Sequence, residues 1–182
     1  MTTKLHEQQA LAAALKREER GEVWYKRTAD TLGNSIAKAT FAILAGRQRR
    51  FVETIQKIHQ ALHQGSASRS RKVTFPSLQP APTVIETLFR KAGVCSNKEN
   101  ATSARDVFKA YLWALGFEEK GATIYAHKFG SFDRRFLSDL FDFLRRQKGE
   151  HYRILDGTLT YLHCPESFFV ETMKSPLSPK GG

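Results

Sequence analysis

Cysteine is scarce in this 182-residue chain, which contains only Cys95 and Cys164 and no C-x-x-C pair. Zinc ribbons and rubredoxin-type iron sites need paired cysteines, and a disulfide framework needs more of them, so the sequence excludes all three. Neither thiol has an activating neighbour pattern, which favours buried or inert side chains. We therefore expect a reducing, cytoplasmic setting.

Long apolar segments are also missing. No run of 18 apolar residues occurs, and the residues after Met1 form no apolar signal region, so we expect neither a membrane span nor a secretory signal. Apolar residues nevertheless make up 41% of the chain and charged residues 26%, which is typical of globular rather than disordered proteins. The length suits a single domain over residues 1–182.

Acidic residues are fewer than basic ones. The chain has 18 Asp and Glu and 29 Lys and Arg, which gives a net charge of +11. Residues 1–100 hold 17 basic and 8 acidic residues, whereas the remainder holds 12 and 10. A basic excess suits a nucleic acid or an acidic protein as partner, with Arg47, Arg49, Arg50 and the cluster at 69–72 as candidates. A solvated basic face is the simpler interpretation, since charge alone is a weak indication.

The spacing of apolar residues predicts an all-α chain. A first helix is expected over 4–32, with an apolar stripe that includes Val23. Gly33 should end this helix, and Asn34 or Ser35 should cap a second one. Together the two helices form a predicted hairpin.

A crossover should follow this hairpin. Three prolines should keep residues 65–82 out of regular helix, and Thr83 should cap a short helix that ends near Gly93. A helix from 103 to 128, a turn at 129–131 and a helix capped by Ser131 or Asp133 and stopped by Asp156-Gly157 complete the fold. The expected organisation is a hairpin at 4–64, a crossover at 65–102, a hairpin at 103–156, and a closing segment with a tail at 157–182.

The two hairpins are related by a constant offset of 100 residues. Identical pairs at this offset include Leu15 and Leu115, Glu18 and Glu118, Glu19 and Glu119, Gly21 and Gly121, Tyr25 and Tyr125, Phe41 and Phe141, and Leu44 and Leu144. Two such hairpins joined by a long crossover predict a four-helix bundle with an internal repeat.

Each first helix carries a Glu and a Tyr on one face, because Glu18 and Tyr25 are seven residues apart, as are Glu118 and Tyr125. A carboxylate that points to a bundle axis is costly unless a cation, a metal or hydrogen bonds compensate it. Geometry alone leaves open whether these carboxylates point inward or lie at the edge of the stripe.

The segments Glu-Glu-Arg-Gly-Glu-Val-Trp-Tyr at 18–25 and Glu-Glu-Lys-Gly-Ala-Thr-Ile-Tyr at 118–125 resemble the first-helix motif of ferritin-like proteins, above all rubrerythrin. Phe41 to Phe51 and Phe141 to Leu155 resemble the partner helices of that family. The resemblance covers about residues 5–64 and 103–170. It implies a ferritin-like four-helix bundle and, as is usual in that family, a homodimer.

The resemblance also implies where ligands for two irons would lie. Two helices each give a Glu, and the other two each give Glu-x-x-His. Glu18, Glu118 and His151 match ligand positions, with Tyr25 and Tyr125 nearby. The other three positions hold Gln48, Phe51 and Lys148, none of which is a family ligand.

We therefore expect that Lys148 replaces the metal as counter-ion. Its ammonium should lie near Glu118 or Glu18, with Gln48 and His151 completing a buried polar cluster and Phe51 filling vacated space.

Three functions remain open at this point. The first is a non-catalytic structural, binding or regulatory bundle without cofactor. The second is a residual iron site of Glu18, Glu118 and His151 with peroxide or ferroxidase chemistry. The third is a basic bundle that associates with nucleic acid. His59 and His63 could also clasp a metal at i and i+4, although a surface pair is the simpler interpretation.

Overall fold

The computed structural model describes residues 2–63, 74–92, 104–128, 132 and 134–163. These residues form helices and no strand, which confirms the all-α class. None of the described helices combines the length and apolar character needed to cross a bilayer. The helices are α1 (Thr2–Thr31), α2 (Ser35–His63), α3 (Ala81–Ala92), α4 (Ala104–Lys128) and α5 (Arg135–His163).

The four long helices pair in sequence order. Helix α1 packs along α2, and α4 packs along α5, while α2 meets α5 and α3 contacts both of them. The turn between α1 and α2 has the predicted cap, because the Asn34 Oδ1 accepts a hydrogen bond of 2.9 Å from the Ala37 backbone N–H.

The buried faces of the two hairpins follow the offset of 100. Every buried residue on α4 lies 100 positions after a buried residue on α1, and the same holds between α5 and α2 except at Phe143. The buried positions of α4 are Val107, Tyr111, Ala114, Glu118, Gly121 and Tyr125.

The predicted apolar stripe of α1 was wrong at Val23, which is 67% exposed. The buried stripe instead contains Glu18, Gly21 and Tyr25. Val23 lies five residues beyond Glu18, which places it about 140° around the helix. Apolar character alone therefore misassigned this face, because the buried residues here are small or polar.

Helix α3 begins two residues earlier than predicted, at Ala81, so Thr83 is not its cap. Proline is compatible with the first turn of a helix, and Pro82 is therefore accommodated there. The Ala81 backbone N–H donates to Glu150 Oε2 at 2.7 Å, so α5 supplies a carboxylate at this helix start.

Helix α5 does not stop at Asp156-Gly157 but continues to His163, so the predicted boundary at 156 was wrong. A Cβ atom at Gly157 would lie 2.7 Å from Ile85 Cδ1. This glycine therefore allows α3 to approach α5 closely instead of ending the helix. Beyond Gly157, the Tyr161 ring stacks on Phe89 at a centroid distance of 4.1 Å.

Several predictions lie outside the described residues. They are the two cysteines, the cluster at 69–72, the turn at 129–131, the caps Ser131 and Asp133, and residues 164–182.

Candidate functional site

A polar layer crosses the middle of the four long helices, between two apolar clusters. One cluster contains Leu11, Phe51 and Leu137, and the other contains Phe41 and Tyr111. The layer itself holds five polar side chains with no solvent exposure: Glu18, Gln48, Glu118, Lys148 and His151. Burial of so many polar groups requires that each charge has a partner.

Lys148 lies between the two carboxylates. Its Nζ is 2.6 Å from Glu18 Oε2 and 3.1 Å from Glu118 Oε2. The same ammonium donates to Gln48 Oε1 at 3.1 Å. This is the placement that the sequence predicts, and both glutamates point inward rather than to the edge.

The two tyrosines connect the hairpins crosswise. The Tyr25 hydroxyl on α1 donates to Glu118 Oε1 on α4, and the Tyr125 hydroxyl on α4 donates to Glu18 Oε1 on α1. Hydrogen bonds to a buried carboxylate are stronger than those between neutral groups. Each glutamate therefore receives a hydroxyl from the opposite hairpin in addition to the ammonium.

His151 and Phe51 occupy equivalent positions and contact each other. The His151 Nδ1 lies 3.3 Å from Glu118 Oε1, and its ring stacks on Phe51 at a centroid distance of 5.4 Å. The Nε2 atom of His151 is buried and has no hydrogen-bond partner among the described residues.

The ionisation of Glu118 is controlled by burial and by Lys148. Burial by itself would raise the pKa of Glu118, but the nearby Lys148 ammonium and the hydrogen bonds from His151 and Tyr25 outweigh it and lower the pKa to about 2. Burial lowers the pKa of His151, although Glu118 opposes this change. His151 is therefore neutral at neutral pH, and Lys148 is the basic side chain that faces both glutamates.

Both tyrosines remain protonated donors. Burial, followed by the charge of Glu118, raises the pKa of Tyr25 well above its usual value. Burial and the charge of Glu18 do the same for Tyr125.

Glycines make room for the two long side chains at the centre. A Cβ atom at Gly21 would lie 2.3 Å from Gln48 Nε2, and one at Gly121 would lie 3.1 Å from Lys148 Cδ. These glycines are 100 residues apart, as are Gln48 and Lys148. The repeated glycine thus has a packing role in each hairpin.

Arg17 adjoins this layer and was not anticipated from the sequence. Its guanidinium lies 4.3 Å above the Phe117 ring centroid and donates to the Phe117 carbonyl. The two residues are related by the offset of 100, but their types differ, so sequence identity between the hairpins does not reveal them.

The other candidates lie apart from the polar layer. The His59 and His63 Nε2 atoms are 3.2 Å apart on the exposed side of α2. Arg49 lies on the surface, 3.7 Å from Glu53. Arg47 is buried and donates to the Gln79 carbonyl. The prediction that Arg47 belongs to a solvated basic face was therefore wrong.

The structure thus brings together Glu18, Glu118 and His151 with Gln48, Phe51 and Lys148, and adds Tyr25 and Tyr125 as hydrogen-bond donors. Comparison with family models, with curated proteins and with solved structures found no match to this chain.

Proposed function

We propose that this chain is a ferritin-like four-helix bundle, built from two related hairpins, in which a lysine has replaced a pair of irons. In this proposal it is a non-catalytic structural, binding or regulatory protein related to rubrerythrin. Its formation of a homodimer stays a prediction from the resemblance.

The position of Lys148 Nζ is the observation that supports this proposal most. It lies within 3.1 Å of both carboxylates that match the first-helix ligands. A protonated amine and a metal cation cannot share this space, because their charges repel at such short range. The donor set around the ammonium therefore does not fit two irons.

The substituted positions support the same interpretation. Gln48 offers Lys148 a neutral amide oxygen where the family has a carboxylate, and Phe51 offers only a ring. Two divalent ions need several carboxylates to balance their charge. One ammonium needs fewer carboxylates, and it lies between Glu18 and Glu118, each of which also accepts a hydrogen bond from a tyrosine hydroxyl.

Metal analysis of protein purified without chelator tests the proposal directly. We expect well under one iron per chain, before and after incubation with ferrous salt under anaerobic conditions. Tight binding of one or more irons per chain would contradict the replacement of metal by Lys148.

A variant with restored ligands tests the relationship to di-iron bundles. Q48E/F51H/K148E would recreate two Glu-x-x-His motifs, at 48–51 and 148–151. We expect the variant to bind about two divalent metal ions per chain and to gain thermal stability from them, since its buried carboxylates repel each other without metal. The matched control K148E lacks one restored motif and should bind less. Failure of the triple variant to bind metal would count against the ferritin-like assignment.

A residual iron site is the second candidate, because the buried His151 ring faces Glu118 through its Nδ1 atom at 3.3 Å. One iron held by Glu18, Glu118 and His151 would require Lys148 to withdraw or lose its proton. The metal analysis of the unmodified chain decides between the two candidates. An iron content near one that falls in H151F would favour the residual site.

A further inference from the structure

A groove of about 770 Å³ opens to solvent between α1 and α4. Its lining includes Arg17, which adjoins the polar layer, but none of the five buried polar side chains of that layer. Aromatic rings of both helices line it, together with basic side chains of α1. None of the functions considered from the sequence uses these residues. Both tryptophans of the chain, Trp24 and Trp113, belong to its lining.

The rings form a fixed stack. Trp113 stacks on Trp24 at a centroid distance of 3.9 Å and lies nearly parallel to Phe117 at 5.2 Å. Trp24 also makes edge-to-face contacts with the Tyr25 and Phe41 rings, which fix its orientation. Trp113 nevertheless remains 45% exposed, so a preorganised aromatic surface faces solvent.

Cations follow one edge of this surface. Four basic residues of α1 line the groove. Arg17 is engaged with Phe117, and the other three, Lys16, Arg20 and Arg27, lie at spacings of four and seven residues, roughly 6 and 10 Å along the helix axis. They form no ion pair within the part of the chain that the structure describes. Glu19 is the acidic residue of the lining. The groove therefore has a net positive charge that suits an anionic partner.

This charge disfavours a second copy of the chain as occupant. In a two-fold dimer each patch meets itself, so three cations would face three cations. The ring stack distinguishes between anionic partners. A flat ring gains most by stacking on Trp113, and nucleobases present such rings at regular intervals beside phosphates.

We propose that the groove between α1 and α4 binds single-stranded nucleic acid. A base packs against the exposed part of Trp113, and Lys16, Arg20 and Arg27 neutralise the adjacent phosphates. This inference names a partner for the binding role proposed above. Either proposal can be wrong while the other is right, because the nucleic-acid test changes surface residues and the metal test concerns the buried layer.

Fluorescence of the two tryptophans gives a direct assay, since both lie in the groove. We expect a thymidine oligonucleotide of about 15 residues to quench this fluorescence in the full-length protein. The logarithm of the binding constant should fall with the logarithm of salt concentration with a slope of about −2, because three cations each release about 0.7 counterions. Absence of quenching at low salt would overturn the proposal.

Variants separate this groove from the general basic charge. Anisotropy of a labelled oligonucleotide should show a roughly 5- to 100-fold loss of affinity for W113A, with W113F recovering part of it. R20Q should lower the magnitude of the salt slope by about 0.7, whereas the exposed control K57Q should leave it nearly unchanged. Circular dichroism checks that each variant is folded.

Two results would contradict the proposal even if binding occurs. Equal losses for R20Q and K57Q would show that net charge, and not the groove, binds the oligonucleotide. Quenching by a polyglutamate peptide with the same dependence on Trp113 and Arg20 would show that the groove recognises an acidic protein instead.

Discussion

The two hairpins supply the same carboxylate and hydroxyl to the polar layer but differ in what their second helices add. Glu18 with Tyr25 and Glu118 with Tyr125 make equivalent, crossed hydrogen bonds. At the next pair of positions the first hairpin has Gln48, which is neutral, and the second has Lys148, which is charged. The symmetric part provides two negative charges, and the asymmetric part provides one positive charge.

This difference shows how a symmetric arrangement can accept a single cation. One ammonium cannot occupy two equivalent positions, so it is anchored on α5 and reaches both glutamates across the axis. The equivalent residue on α2 then needs only an acceptor, and Gln48 Oε1 supplies it. The asymmetry between Gln48 and Lys148 is thus what a lysine-centred layer requires.

Removal of the ammonium should have the largest effect. We expect K148M to lower the free energy of unfolding by about 3–5 kcal/mol, because Glu18 and Glu118 would remain buried without a cation. Urea denaturation at pH 7 measures this loss. The matched variant Q48M changes the equivalent position of the other hairpin and should cost about 1 kcal/mol, the value of one hydrogen bond. Equal losses would mean that Lys148 does not balance the charge of the glutamates.

The free energy of unfolding should also depend on pH, because the interaction between Glu118 and Lys148 requires an ionised carboxylate. The pKa of Glu118 is about 2 in the folded chain and near 4.5 when unfolded, so its contribution is complete above pH 4.5 and disappears as the pH falls toward 2. The pKa shift corresponds to about 3 kcal/mol. Burial also lowers the pKa of His151, so stability should begin to fall below pH 6.5, where the unfolded chain takes up a proton.

The variant H151F separates these two acid effects, because it copies the residue that the first hairpin has at position 51. Urea denaturation between pH 7 and pH 3 should show a much smaller loss near pH 6, where the lowered pKa of His59 still contributes, while the loss below pH 4.5 remains. A wild-type stability that stays constant from pH 7 to pH 3 would contradict both assignments.

The sequence predicted the layer better than the ends of the helices. Identities at an offset of 100 located Glu18, Glu118 and both tyrosines, and the interpretation of Lys148 as the replacement of a metal ligand indicated where its charge must go. Buried charge leaves few alternatives, because an unpaired ammonium is too costly. The periodic burial on the long helices followed from the same pattern.

Features that depend on contacts between distant segments were not predictable. The start of α3 depends on Glu150 from α5, which no local signal at residues 81–83 reveals. Gly157 is compatible with both a helix end and a close approach, and only the presence of Ile85 decides between them. The aromatic groove likewise depends on how α1 and α4 face each other.

The crossed hydroxyls offer a test of symmetry within the layer. Y25F and Y125F should each lower the free energy of unfolding by about 1.5–3 kcal/mol, since each removes a hydrogen bond to a buried carboxylate. The two losses should agree within experimental error in urea denaturation at pH 7. Tyr152 is 39% exposed, and Y152F serves as a control with little expected change. A loss confined to one of the buried tyrosines would show that only one crossed contact is stabilising.

Exchange of the two central residues should have the smallest effect. In Q48K/K148Q the ammonium starts from α2 instead of α5, but Glu18, Glu118 and an amide oxygen remain available to it. Gly21 and Gly121 give both side chains space along equivalent paths. We therefore expect a cost of less than about 1 kcal/mol in urea denaturation, comparable to one neutral hydrogen bond. The single variant Q48K, which adds a second buried ammonium, is the control and should be clearly less stable. If the exchange costs as much as K148M, the two hairpins are not equivalent around the layer, and the position of Lys148 depends on residues of α5 such as His151.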